Sequence, residues 1–168
     1  KILSLGGGTG GILKHFKNSP RTLAEFDKKT LEFGKKKLKN IKSINGGIEE
    51  VIKKNIKFHL VILTHVIEHA NDLNEELKKL QKICLKNKTY IYFEVPGIDS
   101  NKNGRRKYDF SGDIFLAHRY YFSSYTINEY LEVNGFKKIF INSKSQGLYL
   151  FVGSVKKSKF NRNNYHLI

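Results

Sequence analysis

Cysteine, acidic residues and long apolar runs are all scarce in this chain, and each shortage excludes a class of protein. Cys84 is the only cysteine, so no internal disulfide can form; that rules out a secreted disulfide scaffold and suits a reducing compartment. No apolar run approaches the roughly 20 residues of a membrane-spanning helix, and no leader pattern is visible. The expectation is an intracellular, cytoplasmic protein with no membrane span. No internal repeat is present. At 168 residues the chain reads as one domain, long enough to bury roughly 70% of its unfolded surface without metal or disulfide staples.

The 15 acids face 31 lysines and arginines, for a net charge of +16. That excess admits two interpretations. One is attraction to phosphate, in nucleic acid or an anionic substrate. The other, which is favoured, is a lysine-rich solvated surface. Lys35-Lys36-Lys37 and similar lysines fall on predicted helix exteriors, and arginine and stacking aromatics would be expected at a nucleic-acid surface.

What the chain does have is a glycine-rich opening, Ile2-Leu3-Ser4-Leu5-Gly6-Gly7-Gly8-Thr9-Gly10-Gly11. A strand-length apolar run meets a turn of glycines, and a helical segment, Gly10 to Asn18, is expected next. Strand, glycine turn and helix form the layout of a nucleotide-binding βα unit, whose backbone amides close on a ligand. Gly6, Gly8 and Gly11 satisfy G-x-G-x-x-G, while Gly6, Gly8 and Gly10 satisfy G-x-G-x-G. The glycines alone do not choose between them.

The remaining pattern alternates strands and helices. Strands are expected at Arg21 to Phe26, Ile41 to Ile44, Phe58 to Thr64, Thr89 to Val95, Phe136 to Ile141 and Gly147 to Val155. Helices are expected at Lys28 to Asn40 (capped by Asp27), Ile48 to Lys54, Leu73 to Leu85 (capped by Asn71 or Asp72) and Tyr125 to Asn134. Pro96-Gly97 should stop the fifth strand, and Gly135 should close the last helix. Asp99 to about Gly112 has loop composition, and 156–168 is a basic tail after a domain spanning 1–155. The pattern implies an α/β doubly wound, mostly parallel sheet, with helices on both faces and one antiparallel C-terminal strand. Ligands bind such sheets at the carboxyl ends of the strands.

Two clusters there carry chemistry. Glu25 ends the second strand near the ~20-residue offset from the glycines at which an acid grips a ribose diol. Thr64-His65-Val66-Ile67-Glu68-His69 follows the fourth strand. Histidine titrates near neutral pH and serves as a general base. His65 and His69 are spaced i, i+4, but the order is not that of H-E-x-x-H and no third ligand is evident, so no metal is expected.

Taken in order, the segments Ile2 to Gly10, Glu25-Phe26-Asp27, Leu60 to His69, and Tyr92-Phe93-Glu94-Val95-Pro96-Gly97 resemble the class I S-adenosylmethionine-dependent methyltransferases. A fifth, His118-Arg119-Tyr120-Tyr121-Phe122-Ser123 with Gly135-Phe136, resembles their substrate-side segment. The H-V-x-E-H run places the likeness in a small-molecule branch. The resemblance implies a Rossmann-like seven-stranded sheet of order 3-2-1-4-5-7-6 with strand 7 antiparallel. It also favours G-x-G-x-G: Gly6, Gly8 and Gly10 would lie under the donor's methionine, with Glu25 on the ribose. Phe26 would also contact the cofactor, Gly47 and Ile48 would lie against the adenine, and Thr64 and His65 under the sulfonium. His65, His69 and His118 are the candidates for a base acting on a small-molecule or glycan-type acceptor, through oxygen or nitrogen.

The sequence departs from the family where Ser4, Gly47 and His59 stand, positions that usually hold carboxylates. Three fewer acids around a cationic donor should weaken its binding. N-terminal covering helices are also missing, so an open pocket or a longer parent chain is expected. The rivals are an RNA or protein methyltransferase, motivated by Arg105-Arg106-Lys107 and the overall charge, and a non-catalytic binding module. A nicotinamide enzyme is more distant.

Overall fold

The computed structural model describes residues 1–85, 87–98, 114–144 and 147–154. Strands β1 (Ile2–Leu5), β2 (Arg21–Glu25), β3 (Ile41–Asn45), β4 (Leu60–Thr64) and β5 (Tyr90–Pro96) run parallel. β7 (Gly147–Ser154) is antiparallel to both β5 and β6 (Phe136–Lys144). The order across the single sheet is β3-β2-β1-β4-β5-β7-β6, as the resemblance implied.

Both faces of the sheet are covered, which is why the central strands read as nearly continuous apolar runs. Ile2, Leu23 and Ile62 pack with Leu13, Leu31 and Leu38 on one side. Leu3, Leu5, Val61, Leu63, Ile91 and Phe93 pack on the other, against α2 (Ile48–Lys53), α3 (Leu73–Ile83) and α4 (Ser124–Val133). In register, Glu25 lies opposite Asn45 and Thr64 opposite Glu94, so the carboxyl ends of the strands share one edge.

Several elements differ from expectation. The helical segment expected at Gly10 to Asn18 is a shorter 3₁₀ helix, Gly11–Phe16. Its N-cap, Gly10, offers no capping side chain, only Leu13 is buried, and Pro20 follows closely. Arg21 secures it from β2, donating from Nη1 to the Leu13 carbonyl (3.1 Å) and from Nη2 to that of Lys39 (2.8 Å). Helix α1 (Lys28–Lys37) starts on Asp27, which accepts from Thr30 N at 2.8 Å. It ends early because Leu38 turns into the core, and Phe33 is exposed. β4 starts only at Leu60, with Phe58 forming an isolated bridge to Cys84. Cys84 caps α3 rather than lying within it, Asp72 is that helix's N-cap, and Pro96 is the last residue of β5, paired with Gly147.

Helix α4 opens with a reciprocal capping box between Ser123 and Thr126 and is followed by Gly135 at φ +80°. Ser123→Ala is expected to cost about 1 kcal/mol in urea unfolding, the usual value of a lost N-cap. The expected 99–112 loop, Arg105-Arg106-Lys107, the end of the last strand at Val155 and the 156–168 tail lie outside the described residues. Among those described, no helix is long and apolar enough to cross a membrane.

Candidate functional site

A cleft of about 560 Å³ opens at the carboxyl ends of β1, β2 and β4, against the starts of α2 and α3. Its first wall is the glycine turn. Gly6, Gly8 and Gly10 have φ of +61°, +55° and +72°, a left-handed region that costs other residues about 1–2 kcal/mol. Gly11 is not among the positive-φ residues; it begins the 3₁₀ helix. The backbone therefore follows G-x-G-x-G. A Cβ on Gly6 would fall 2.8 Å from Val66, and one on Gly10 would fall 2.7 Å from Leu38, whereas Gly8 faces open space.

Glu25 joins this turn to β2. Its Oε2 accepts from Gly8 N at 2.8 Å and its Oε1 from Asp27 N at 3.1 Å. Each carboxylate oxygen keeps a further lone pair for a ligand. Asn45 fixes the next residue's backbone, donating to the carbonyls of Glu25 (3.0 Å) and Phe26 (2.8 Å). The Phe26 ring is itself 72% exposed and lies against Gly47, where any Cβ would strike it. An aromatic wall thus occupies the space that a side chain at position 47 would need.

Beyond β4 the chain reverses at His65, whose φ of +55° is unusual for a residue with a side chain. Its amide donates to the Glu94 carbonyl at 2.8 Å. Its Nδ1 lies 3.3 Å from Glu68 Oε1 and its Nε2 3.7 Å from Glu94 Oε1, so carboxylates flank the imidazole. Glu68 is fully buried. Tyr92, beside Glu94 on β5, has its hydroxyl pushed up to about 12, first by burial and then by the Glu94 charge.

Of the residues singled out in the sequence, Gly6, Glu25, Phe26, Gly47, Ile48, His65 and His69 line the cleft. Gly8 stands behind Glu25, Gly10 packs on Leu38 and Leu23, Thr64 ends β4, and His118 lies behind His69 with their rings 4.9 Å apart. The substituted positions also differ in importance. His59 immediately precedes β4, at the opposite end of that strand from the cleft, and is not part of its lining. Ser4 is buried beneath Gly7, whose missing Cβ leaves room for its hydroxyl.

The sequence reading missed the carboxylates of the second wall: Glu49 on α2 and Asp72, Glu75 and Glu76 at the start of α3. The available signal was a helix beginning just after a parallel strand with acids in its first turn. With Glu25, five carboxylates and one lysine line the cleft in a chain with 15 acids and 31 basic residues. Such a lining attracts a cation and repels a polyanion. The one lysine, Lys79, bridges the helices, with Nζ 2.5 Å from Glu49 and 2.7 Å from Glu76.

The Lys79 hydrogen bond holds Glu49 below its ordinary 4.5, and the bonds to Glu49 and Glu76 raise Lys79 above its ordinary 10.5. A lowered acid stabilises the fold above its unfolded value and loses that contribution as pH falls. A raised base stabilises the fold below its unfolded value and loses that contribution as pH rises. The bridge therefore contributes fully between about 4.5 and 10.5. In Lys79→Met, carbon-detected NMR titration should find Glu49 shifted upward toward 4.5, with stability reduced by no more than about 1 kcal/mol because the pair is partly exposed.

The profile of a methyltransferase-domain family matches residues 1–139. No curated protein sequence matches the chain. Among solved structures, a S-adenosylmethionine-dependent methyltransferase from Clostridium acetobutylicum superposes with a TM-score of 0.71 at 13% identity, over 92% of this chain and 84% of its own. A SAM-dependent methyltransferase from Archaeoglobus fulgidus gives 0.65 at 17% identity, over 91% and 85%. Magnesium protoporphyrin IX methyltransferase from Synechocystis, solved with SAH bound, gives 0.69 at 14% identity, over 91% and 73%. The glycine turn, the switch-point cleft and the family profile agree: the chain belongs to the methyltransferase-domain family, and it is a class I methyltransferase that draws its methyl group from S-adenosylmethionine.

Proposed function

We propose that the cleft holds S-adenosylmethionine with its ribose on Glu25 and its adenine between Phe26 and Ile48, and that the methyl acceptor is a small or glycan-type molecule. The cleft's acidity carries this reading. A lining of five carboxylates favours a sulfonium and disfavours RNA phosphates, despite the net charge of +16. A volume of about 560 Å³ lies within the range of small-ligand pockets. Phe26 offers an exposed aromatic face at the mouth, and the loss of an acid at position 47 is offset by Glu49 two residues on. A cytoplasmic location accords with a chain whose single cysteine, Cys84, can form no internal disulfide.

When bound, the donor supplies a methyl group on a positively charged sulfur; the protein contributes alignment and a proton acceptor. Of the three candidate histidines, His65 is best arranged for the second task. With Nδ1–H donating to buried Glu68, its lone pair lies on Nε2, and the carboxylate behind it stabilises the protonated ring. The imidazole is 57% exposed, so an acceptor can reach it.

The test is transfer of label from methyl-labelled donor into separated low-mass and RNA fractions of a cell extract. The proposal expects label in the low-mass or glycan fraction, unaffected by added polyanion. Label in RNA, with a steep salt dependence, would replace it. His65→Asn, which keeps a residue tolerant of the left-handed backbone, should slow transfer by about 10²–10⁴-fold, with a much smaller loss of donor affinity.

A further inference from the structure

Glu68, His69 and His118 bring one ligand atom each to within 4.8 Å of one another, joining the turn after β4 to a segment far along the chain. We infer that this cluster is a binding site for a divalent first-row transition-metal ion such as Zn²⁺. The sequence offered a histidine pair without a third ligand. The fold supplies the third by hanging the 117–120 segment on Glu68, whose carbonyl accepts from the amides of Arg119 (2.9 Å) and Tyr120 (3.2 Å).

Three observations point to an ion. The first is Glu68, which is fully buried; Oε1 is engaged by His65, while Oε2 has no hydrogen-bond partner. An ionised carboxylate in that position is costly unless a cation or donor meets it. The second is His118, whose Nδ1 is buried and also without a partner. Two orphaned polar atoms in one cluster of three residues form a concentrated deficit that one cation would satisfy. The third is His69. Its Nδ1 lies 2.9 Å from the Ala117 carbonyl, which only accepts, so the proton sits on Nδ1 and the lone pair on Nε2. A backbone carbonyl fixing the tautomer of a ligating imidazole is the usual outer shell of a metal site. Here it comes from the residue beside the third ligand.

Two imidazoles and a carboxylate suit Zn²⁺ and its neighbours better than Mg²⁺ or Ca²⁺, which prefer all-oxygen sets. Three protein donors leave coordination positions open, as in working rather than closed sites. The donors lie within 4.8 Å of one another, near enough to the roughly 3.4 Å edge of a tetrahedron with ~2.1 Å bonds for small side-chain movements to close on an ion. The site borders the donor cleft through His69 but shares no ligand with Glu25, Phe26 and Ile48, and its occupancy can be read without donor or acceptor.

Tag-free chain, stripped with chelator, should be titrated calorimetrically with Zn²⁺ and spectroscopically with Co²⁺. The expected result is one equivalent bound, a Co²⁺ visible spectrum of low-symmetry nitrogen and oxygen ligation, and a Zn²⁺-dependent rise in melting temperature. His118→Ala and Glu68→Gln should weaken binding at least about 100-fold, beyond the 10–100-fold cost of an outer-shell change, whereas His15→Ala and His59→Ala leave it unchanged. Circular dichroism identifies variants that fail to fold, and His69→Gln replaces any that do. Absence of saturable binding, or affinity indifferent to the ligand substitutions but sensitive to His15 or His59, would overturn the assignment. Donor binding measured on the same stripped protein keeps a failed metal site distinct from a failed donor site.

Discussion

Glu25→Ala is expected to remove most of the chain's affinity for S-adenosylmethionine while leaving it folded. The Glu25 carboxylate stands at the carboxyl end of β2, between Gly8 N and Asp27 N, with lone pairs left for a diol. Hydrogen bonds to a charged acceptor contribute about 1.5–3 kcal/mol each. Losing two of them to a ribose amounts to roughly 3–6 kcal/mol, or about 10²–10⁴-fold in dissociation constant. The structural cost is smaller, because Glu25 is only partly buried and water can reach the freed amides. A stability loss of about 1 kcal/mol is expected for the broken tie to Gly8. Glu25→Gln keeps the shape but not the charge, and should fall between the two. Calorimetric titration of each variant measures the effect, and an unchanged affinity in Glu25→Ala would remove Glu25 from the donor site.

Gly10→Ala attacks the same turn through the fold rather than the ligand. At φ +72° an alanine costs about 1–2 kcal/mol. Its Cβ would also lie 2.7 Å from Leu38 Cδ1 and 3.1 Å from Leu23 Cδ2, an overpacking that typically costs a further 1–3 kcal/mol. Together these take about 2–5 kcal/mol from a domain whose whole stability is on the order of 5–15 kcal/mol. Gly11→Ala meets no atom within 4 Å and has no positive φ to accommodate, so it should be close to neutral. Gly8→Ala, with φ +55° but open space, should show the backbone cost alone. Urea unfolding of the three variants ranks them, and a larger loss at Gly11 than at Gly10 would contradict the G-x-G-x-G assignment of the turn.

These two results mark what the sequence made legible. Strand positions could be read because buried parallel strands are apolar on both faces, and Ile2 to Leu5 or Leu60 to Thr64 admit little else; the sheet order came from the family resemblance. Glu25 and the His65–His69 turn could be placed because ligands gather at strand ends. Helix ends were less legible. Leu38 leaves α1 to pack beside Gly10, a tertiary preference that no local pattern records. The glycines alone left their spacing ambiguous; the family resemblance favoured G-x-G-x-G, and the backbone angles separate Gly10 from Gly11 accordingly.

The cleft's second wall and the His118 contact escaped for a related reason: both are long-range. Glu49 and Lys79 meet only once α2 and α3 pack side by side. His118 joins Glu68 only through backbone bonds from Arg119 and Tyr120. The three substituted acid positions showed the opposite error. Ser4, Gly47 and His59 looked equivalent as departures, yet His59 stands at the far end of β4 and Gly47 makes room for Phe26.

The central claim is that one adenosyl group sits across the glycine turn, Glu25 and Phe26. A crystal structure of the chain with S-adenosylhomocysteine tests it most directly. The account predicts ribose hydroxyls on the Glu25 carboxylate and adenine against the Phe26 ring beside Gly47. Ligand density elsewhere on the molecule, or a ribose turned away from Glu25, would contradict it.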